Sequence, residues 1–317
     1  MYVAIGTTTA DLLVSSPASF ANLSGGDGFR ASNLVFTGQP LTLLMGGNGG
    51  NSAYVWAGLG LPTALGGAVG WDPLGDILVD WLEARQVNLE GLRRSTQYAT
   101  PSSTIITSHT AEQVVFHHLG ATQELSLAHI PESLLAGAEV LLASSFSFVP
   151  QMRAGGFAQA LAITHQAGGL TALDIGPAIG EPVRLAELQP LLPHVDYLLA
   201  NTHELSILVS EPDWTITCNR LLDAGARAVV VKRSEQGASL RSRAVAVDIP
   251  AFAVKANISI GAGDAFNAGF LYGVQQDWPL EQALRFGNAV AALTVASDRG
   301  VLGSPSLAEV ELFLNSN

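Results

Sequence analysis

Residues 257–275 read NISIGAGDAFNAGFLYGVQ, and their interpretation decides the fold. Four small residues, Gly261, Ala262, Gly263 and Asp264, run straight into a helical apolar pattern at Phe266, Phe270, Leu271 and Val274. Glycine lets a backbone turn tightly and approach a ligand without interference from a Cβ. A helix that starts here aims unpaired N–H groups and the positive end of its dipole outward. That arrangement suits an anion, such as the terminal phosphate of a nucleotide. A carboxylate at position 264 would then be placed to accept a proton from an attacking hydroxyl. The simpler interpretation is a tight turn with Asp264 as a helix cap. The stretch alone does not separate the two.

Working outward, the C-terminal third is helical in pattern, over 262–275, 280–297 and 306–314. Upstream, short apolar runs at 2–6, 139–144, 170–174, 196–200 and 228–232 read as buried strands. Helical patterns at 152–166, 184–191, 205–209 and 219–224 lie between them. Such alternation predicts βα units on a mostly parallel sheet. Two stretches break the rhythm. Residues 12–44 are loop-rich, with SGGDG at 24–28, and residues 98–119 alternate as strands do. Both are expected to form a small β-sheet lid on one α/β domain that takes in residues 1–317. Repeats and low-complexity segments are absent from the sequence.

Composition narrows the function. The chain is 48% hydrophobic and 13% charged, enough for a sizeable core. Its net charge is −12, with only two lysines, Lys232 and Lys255, which counts against nucleic-acid binding. No apolar run is long enough to span a membrane, and no basic segment followed by an apolar one suggests a leader. The lone Cys218 excludes an intrachain disulfide, reads as a semi-buried helix residue and fits a reducing cytoplasm. A phosphate ligand would therefore need local attraction from backbone amides, a helix dipole, one cationic side chain or a metal ion.

Several common site patterns are missing. No glycine is followed by lysine, so a Walker-type phosphate loop is excluded. The dinucleotide fingerprint fails, because Thr63 stands where the third glycine after Gly58 and Gly60 would be needed. Two further motifs remain. Residues 46–76, GGNGGNSAYVWAGLGLPTALGGAVGWDPLGD, predict a helix over 52–59 and a strand over 63–68, with Asn51 either reaching a ligand or capping that helix. In 198–208, LLANTHELSIL, Asn201 and Glu204 are spaced as a capping box, the reading favoured in isolation. The alternative is that they hold Mg²⁺ through water, since Mg²⁺ takes oxygen ligands and keeps most of its hydration. The histidines at 117, 118 and 203 lack metal-ligand spacing, and Trp56, Trp71 and Trp81 read as core or hinge packing.

Together, the 46–76 motif, Asn201-x-x-Glu204 and GAGDAFNAG at 261–269 resemble the PfkB (ribokinase-like) carbohydrate kinases over essentially the whole chain. The resemblance implies a three-layer α/β/α sandwich with a β-sheet lid, and ATP-dependent phosphorylation of a sugar or nucleoside hydroxyl. It makes Asp264 the catalytic base and Gly261, Ala262 and Gly263 the anion hole. Asp11, Gly47 and Asn51 would contact the substrate, although from sequence alone Asp11 equally suits a turn or strand edge. Asn201 and Glu204 would associate with Mg²⁺. Lys232, Ser234 and Gly237 would lie near the nucleotide phosphates or ribose, and Asn288 would line the adenine pocket or simply hold an ordinary helix partner.

The departures also carry expectations. Residues 258–260 are Ile-Ser-Ile where many relatives carry Asp-Thr-Thr, which counts against activation by a monovalent cation such as potassium. Ser144, Ser145, Phe146 and Ser147 follow the 139–144 strand where ribokinases offer a glutamate, which counts against ribose specifically. Ser234 stands where glycine is common. The alternatives carried forward are a nucleoside kinase of the same family, with Phe36 and Phe116 facing a base or the core, and a catalytically silent sugar- or nucleotide-binding regulator. A Rossmann-like oxidoreductase is disfavoured by the missing fingerprint. Family lids often pair, so a homodimer through the lid is one expected arrangement.

Overall fold

A computed structural model describes residues 1–16, 34–108, 113–176 and 183–317. The chain runs β1 (Tyr2–Ile5), β2 (Thr9–Ser16), β3 (Thr42–Gly46), α1 (Asn48–Gly58), β4 (Thr63–Gly70), α2 (Pro73–Ala84), β5 (Leu92–Ser95), β6 (Ser102–Ser108) and β7 (Gln113–His118). It continues with α3 (Glu132–Ala136), β8 (Val140–Ala143), α4 (Phe157–Gln166), β9 (Leu170–Asp174), α5 (Leu185–Leu188), β10 (Tyr197–Asn201), α6 (Thr202–Leu208) and α7 (Trp214–Asp223). The last elements are β11 (Ala228–Lys232), β12 (Ala238–Ser242), β13 (Ala246–Ile249), α8 (Ala262–Gln275), α9 (Leu280–Ala296) and α10 (Leu307–Ser316).

Among the described residues, nine strands form one sheet in the order β13-β12-β11-β10-β9-β8-β1-β4-β5. Its pairings from β10–β11 through β4–β5 are parallel, and β12 and β13 close one edge antiparallel. Side chains alternate along each strand. Tyr2 and Ala4 therefore enter one core with α1, α8 and α9, while Val3 and Ile5 enter the other with α4, α6 and α7. Helices on both faces bury the strands, and this is why those strands are continuously apolar. The result is the expected three-layer α/β/α sandwich of ribokinase-like type. No helix among the described residues is long and apolar enough to cross a membrane.

A second sheet has the order β3-β2-β6-β7. It is built from the two stretches that broke the βα rhythm, and the parallel pairing of β2 with β6 joins them. It starts at Thr9, three residues earlier than expected, and the SGGDG stretch at 24–28 lies outside the described residues, as do other parts of the two segments. Phe36 and Phe116 are 80% and 64% exposed, so neither belongs to a core. Trp56 is buried, with its indole donating to the Ala268 carbonyl at 3.0 Å and tying α1 to α8. Trp71 is not packed as expected. It is exposed, with the Arg94 guanidinium 4.2 Å from its ring centroid.

The boundaries differ in instructive places. α1 begins at Asn48 rather than at residue 52, because Gly49 and Gly50 pack closely against Gly6 and Thr8 instead of forming a loop. α2 was not anticipated, although Asp72 caps it by accepting from the Gly75 amide at 2.9 Å and Pro73 sits in its first turn. α6 and α7 each start upstream of their apolar patterns, at polar caps Asn201 and Asp213.

Candidate active site

The order of the large sheet reverses at β1: the chain moves from β1 to β4 and β5 on one side, then returns to β8 on the other. Open α/β sheets bind ligands outside the carboxyl ends of their strands at such a reversal. Thr7 follows β1 and Ser145 follows β8 at that point, and the amino ends of α1 and α8 converge above them.

Gly261 is the N-cap of α8 with φ 82°, a left-handed conformation that glycine adopts without strain. No side chain caps this helix, and of its opening amides Ala262 turns to the Ser259 carbonyl at 3.3 Å. Asp264, in the first turn, does not cap its own helix as the simpler reading expected. Its Oδ1 accepts from the Asn48 amide and its Oδ2 from the Asn51 amide, each at 2.8 Å. Asn51 likewise does not cap α1, whose N-cap is Gly47 at φ 82°. Burial pushes the Asp264 carboxyl up to about 6, against the pull of the Asn51 amide; nearby Asp174 pushes it further, and Asn48 and Lys232 oppose.

A cavity of about 540 Å³ opens beside this turn. Its wall contains the 261–264 turn, Asn48, Lys232, Ser234, Gly237 and Asn288, and the Asn201–Glu204 pair. Lys232 donates to Asp174 Oδ2 at 2.6 Å, and the same oxygen accepts from the Asn267 amide. Asp174 Oδ1 accepts from the Gly176 amide at 2.9 Å. A part-buried ammonium is thus fixed against Gly263 by a carboxylate that is 1% exposed. Asp174 was missed in the sequence, although it ends an apolar strand at the ligand-facing edge of a parallel sheet, which is the available signal.

Asn201 and Glu204 do form a reciprocal capping box, with bonds of 2.7 and 2.8 Å. The box uses Glu204 Oε2, and both residues line the cavity. Burial raises the Glu204 carboxyl to about 7, with Lys232 lowering and Asp174 raising it. One free carboxylate oxygen beside a cavity fits a hydrated Mg²⁺ held through water better than a directly ligated ion. Asn288 has ordinary partners, since its amide donates to Pro250 O at 3.0 Å and Ile249 O at 3.4 Å, and it also lines the cavity.

Asp11 lies on β2 of the four-stranded sheet and Gly47 follows β3, and neither lines the cavity. Asp11 on β2 is 6% exposed, its Oδ1 has no hydrogen-bond partner, and burial raises its carboxyl to about 6 against a hydrogen bond from Ser103. A Cβ at Gly46 on the neighbouring strand would run into the Asp11 carboxylate, so any other residue there would push that carboxylate from its place. Ile258, the first of the three departing residues, is buried, and its amide donates to the Val295 carbonyl at 3.2 Å. Cys218 is buried, with its thiol pushed up to about 12 by burial; His203 is exposed, and His117 bonds Ser103 and stacks on Phe148.

Known proteins are similar to this one over nearly the whole chain. The family model for pfkB family carbohydrate kinases matches residues 5–306. The chain is 26% identical over 311 residues to the ribokinase of Bacillus subtilis, with 98% of each covered. It is 26% identical over 299 residues to the nucleoside kinase of Methanothermobacter thermautotrophicus, with 94% of each covered. In fold it is similar to the ribokinase of Arabidopsis thaliana solved with ribose and ATP, at a TM-score of 0.82 and 22% identity, over 99% of this chain and 98% of that one. With residues 5–306 inside the family model and the sandwich in place, the chain belongs to the pfkB family of carbohydrate kinases, phosphotransferases that take an alcohol group as acceptor.

Proposed function

We propose that this protein transfers the γ-phosphoryl group of ATP to a hydroxyl of a small sugar or sugar-like substrate, with Asp264 as the general base. The observation that carries this reading is the Asp264 carboxylate, clamped by Asn48 and Asn51 beside the uncapped amides of α8 at the mouth of the cavity. ATP would lie in that cavity, with the amides of Gly261, Ala262 and Gly263 and the Lys232 ammonium drawing in its phosphates. Ser234 and Gly237 border the same space near the phosphates or ribose, and the base would rest by Asn288. Mg²⁺, held through water by Asn201 and Glu204, would neutralise phosphate charge when bound. The acceptor would sit between Asp264 and the four-stranded sheet, contacting Asp11, Gly47 and Asn51. That sheet would act as a lid that excludes water from the reaction.

Asp264 takes the hydroxyl proton as the oxygen attacks, and the two amides keep both carboxylate oxygens in place while it does so. A carboxyl at about 6 is mostly ionised at neutral pH yet more basic than an exposed aspartate, which suits this task. A nucleoside acceptor is the second reading, supported by the similarity to an archaeal nucleoside kinase. The protein is proposed to act in the cytoplasm without nucleic-acid or membrane partners, in keeping with its net charge of −12. The exposed apolar side chains Val114, Val115 and Phe116 on β7 support a homodimer through the lid, which sedimentation of the pure protein would test.

The test of the activity is ADP release with ATP and Mg²⁺ across pentoses, hexoses, keto-acids and nucleosides. A protein that binds ATP and turns over none of them would be the catalytically silent regulator instead.

A further inference from the structure

Ser145 is a backbone outlier. It is fully buried yet sits at φ 60°, ψ 34°, a left-handed conformation that costs an L-residue roughly 1–2 kcal/mol. The fold accommodates it closely: the neighbouring Gly176, at φ 79°, would bring a Cβ within 3.0 Å of the Ser145 Cα. Buried strain of this kind tends to persist where it sets up a functional geometry. Here it turns one hydroxyl toward the first residue of α1. Ser145 Oγ donates to Asn48 Oδ1 at 3.0 Å. Thr7 supports the hydroxyl from behind, with its amide 3.2 Å and its Oγ1 2.8 Å from Ser145 Oγ.

The donors and acceptors in this chain leave little freedom. An ionised Asp264 only accepts, so Asn48 must present its NH₂ to Oδ1 at 2.8 Å. The Asn48 carbonyl oxygen must then face Ser145, which must donate its only proton to it. Thr7 must in turn donate to Ser145 through both its amide and its hydroxyl. Every proton in the row from Thr7 to Ser145 to Asn48 points toward Asp264. Ser144, the other hydroxyl at this strand end, is engaged with the Ile5 carbonyl at 3.0 Å.

We propose that Ser145 is a positioning residue for the phosphoryl transfer: its hydroxyl locks the Asn48 amide in the one orientation that holds the Asp264 carboxylate for the incoming hydroxyl. This rests on Asp264 being the general base. In this chain the hydroxyl acts on the base through Asn48 rather than on the substrate. Without it the Asn48 amide can rotate, and Asp264 loses a hydrogen bond that lowers its carboxyl.

The informative variant is Ser145→Gly. It removes the hydroxyl but adopts the left-handed backbone without strain, which offsets part of the cost of leaving Thr7 and Asn48 unpaired, so the fold should hold with a melting temperature within several degrees of the parent. With the best acceptor and saturating MgATP, turnover is expected to fall about 10-fold or more, with KM for ATP little changed. The acid limb of kcat/KM should move to higher pH. If Ser145 acts through Asn48, the double variant Ser145→Gly/Asn48→Ala will be no slower than Asn48→Ala alone. Parent-like turnover in Ser145→Gly, or losses that multiply in the double variant, would overturn the proposal. Asp264→Asn tells this apart from failure of the base assignment: an inactive Asp264→Asn beside a fully active Ser145→Gly removes only the role of Ser145.

Discussion

The Asn51 side-chain amide donates to Asp264 Oδ2 at 2.8 Å across a sequence separation of 213 residues. That bond ties the glycine motif of α1 to the glycine motif of α8. It also fixes in place a carboxylate that sequence alone would let cap a helix. Asp264→Asn should retain ATP binding while turnover drops by roughly 10²–10⁴, the usual contribution of a general base. In the parent enzyme kcat/KM should fall as pH drops through about 6, where Asp264 gains a proton. Steady-state kinetics between pH 5 and 8, with nucleotide binding measured separately, check both points.

The Lys232–Asp174 pair should behave as one unit. Lys232→Met leaves a buried carboxylate without its cation and should cost about 3–5 kcal/mol. Adding Asp174→Asn removes the stranded charge, so thermal stability should recover while affinity for ATP stays low. Urea unfolding with calorimetric ATP titration of both variants tests this, and a double variant that regains full ATP affinity would take Lys232 out of the phosphate site.

Asp11 should destabilise the protein near neutrality. Its carboxyl is raised from 3.8 to about 6, so the folded state binds that proton more tightly than the unfolded state does. Stability from this group is therefore full below about pH 4 and lost as pH rises through about 6. A two-unit shift corresponds to about 3 kcal/mol at most. Asp11→Asn should raise the melting temperature by a few degrees at pH 8, hardly change it at pH 4, and raise KM for the acceptor. Equal melting shifts at both pH values would count against this account.

Ser234 lies at φ 52° in the turn between β11 and β12, a left-handed conformation that suits glycine better than serine. Ser234→Gly removes left-handed strain of about 1 kcal/mol but also loosens the unfolded chain, so stability should match or slightly exceed the parent. A β-branched Val at this position should instead lower the melting temperature by several degrees, as scanning calorimetry would register.

Potassium should not matter. With the buried Ile258 in place of an oxygen-bearing side chain, rates in potassium, sodium and a bulky organic cation should agree at equal ionic strength. A several-fold acceleration by potassium would mean that backbone carbonyls alone build the ion site.

The large sheet and its helices were legible because their signals are local. Apolar runs such as AVVVK at 228–232 mark strands buried on both faces, and the expected helix 262–275 matches α8 to the residue. Less visible were β5, β12 and β13, whose short, partly exposed strands carry little apolar contrast. α2 is hidden for another reason: its Asp-Pro start sits among glycines at 66, 67, 70 and 75, which mask the helical pattern.

By itself, then, the sequence determined the layered α/β architecture, the family motifs and the glycine turn at 261–263, since periodicity and backbone permissiveness act within a few residues. Which partners each polar side chain finds was decided only by the tertiary structure. Asp264 meets amides from Asn48 and Asn51, Lys232 meets Asp174, and Ser145 meets both Thr7 and Asn48 because strand order brings distant chain ends to one edge of the sheet. A buried charge or hydroxyl must satisfy its hydrogen bonds with whatever the fold places beside it, and no local pattern encodes that neighbour.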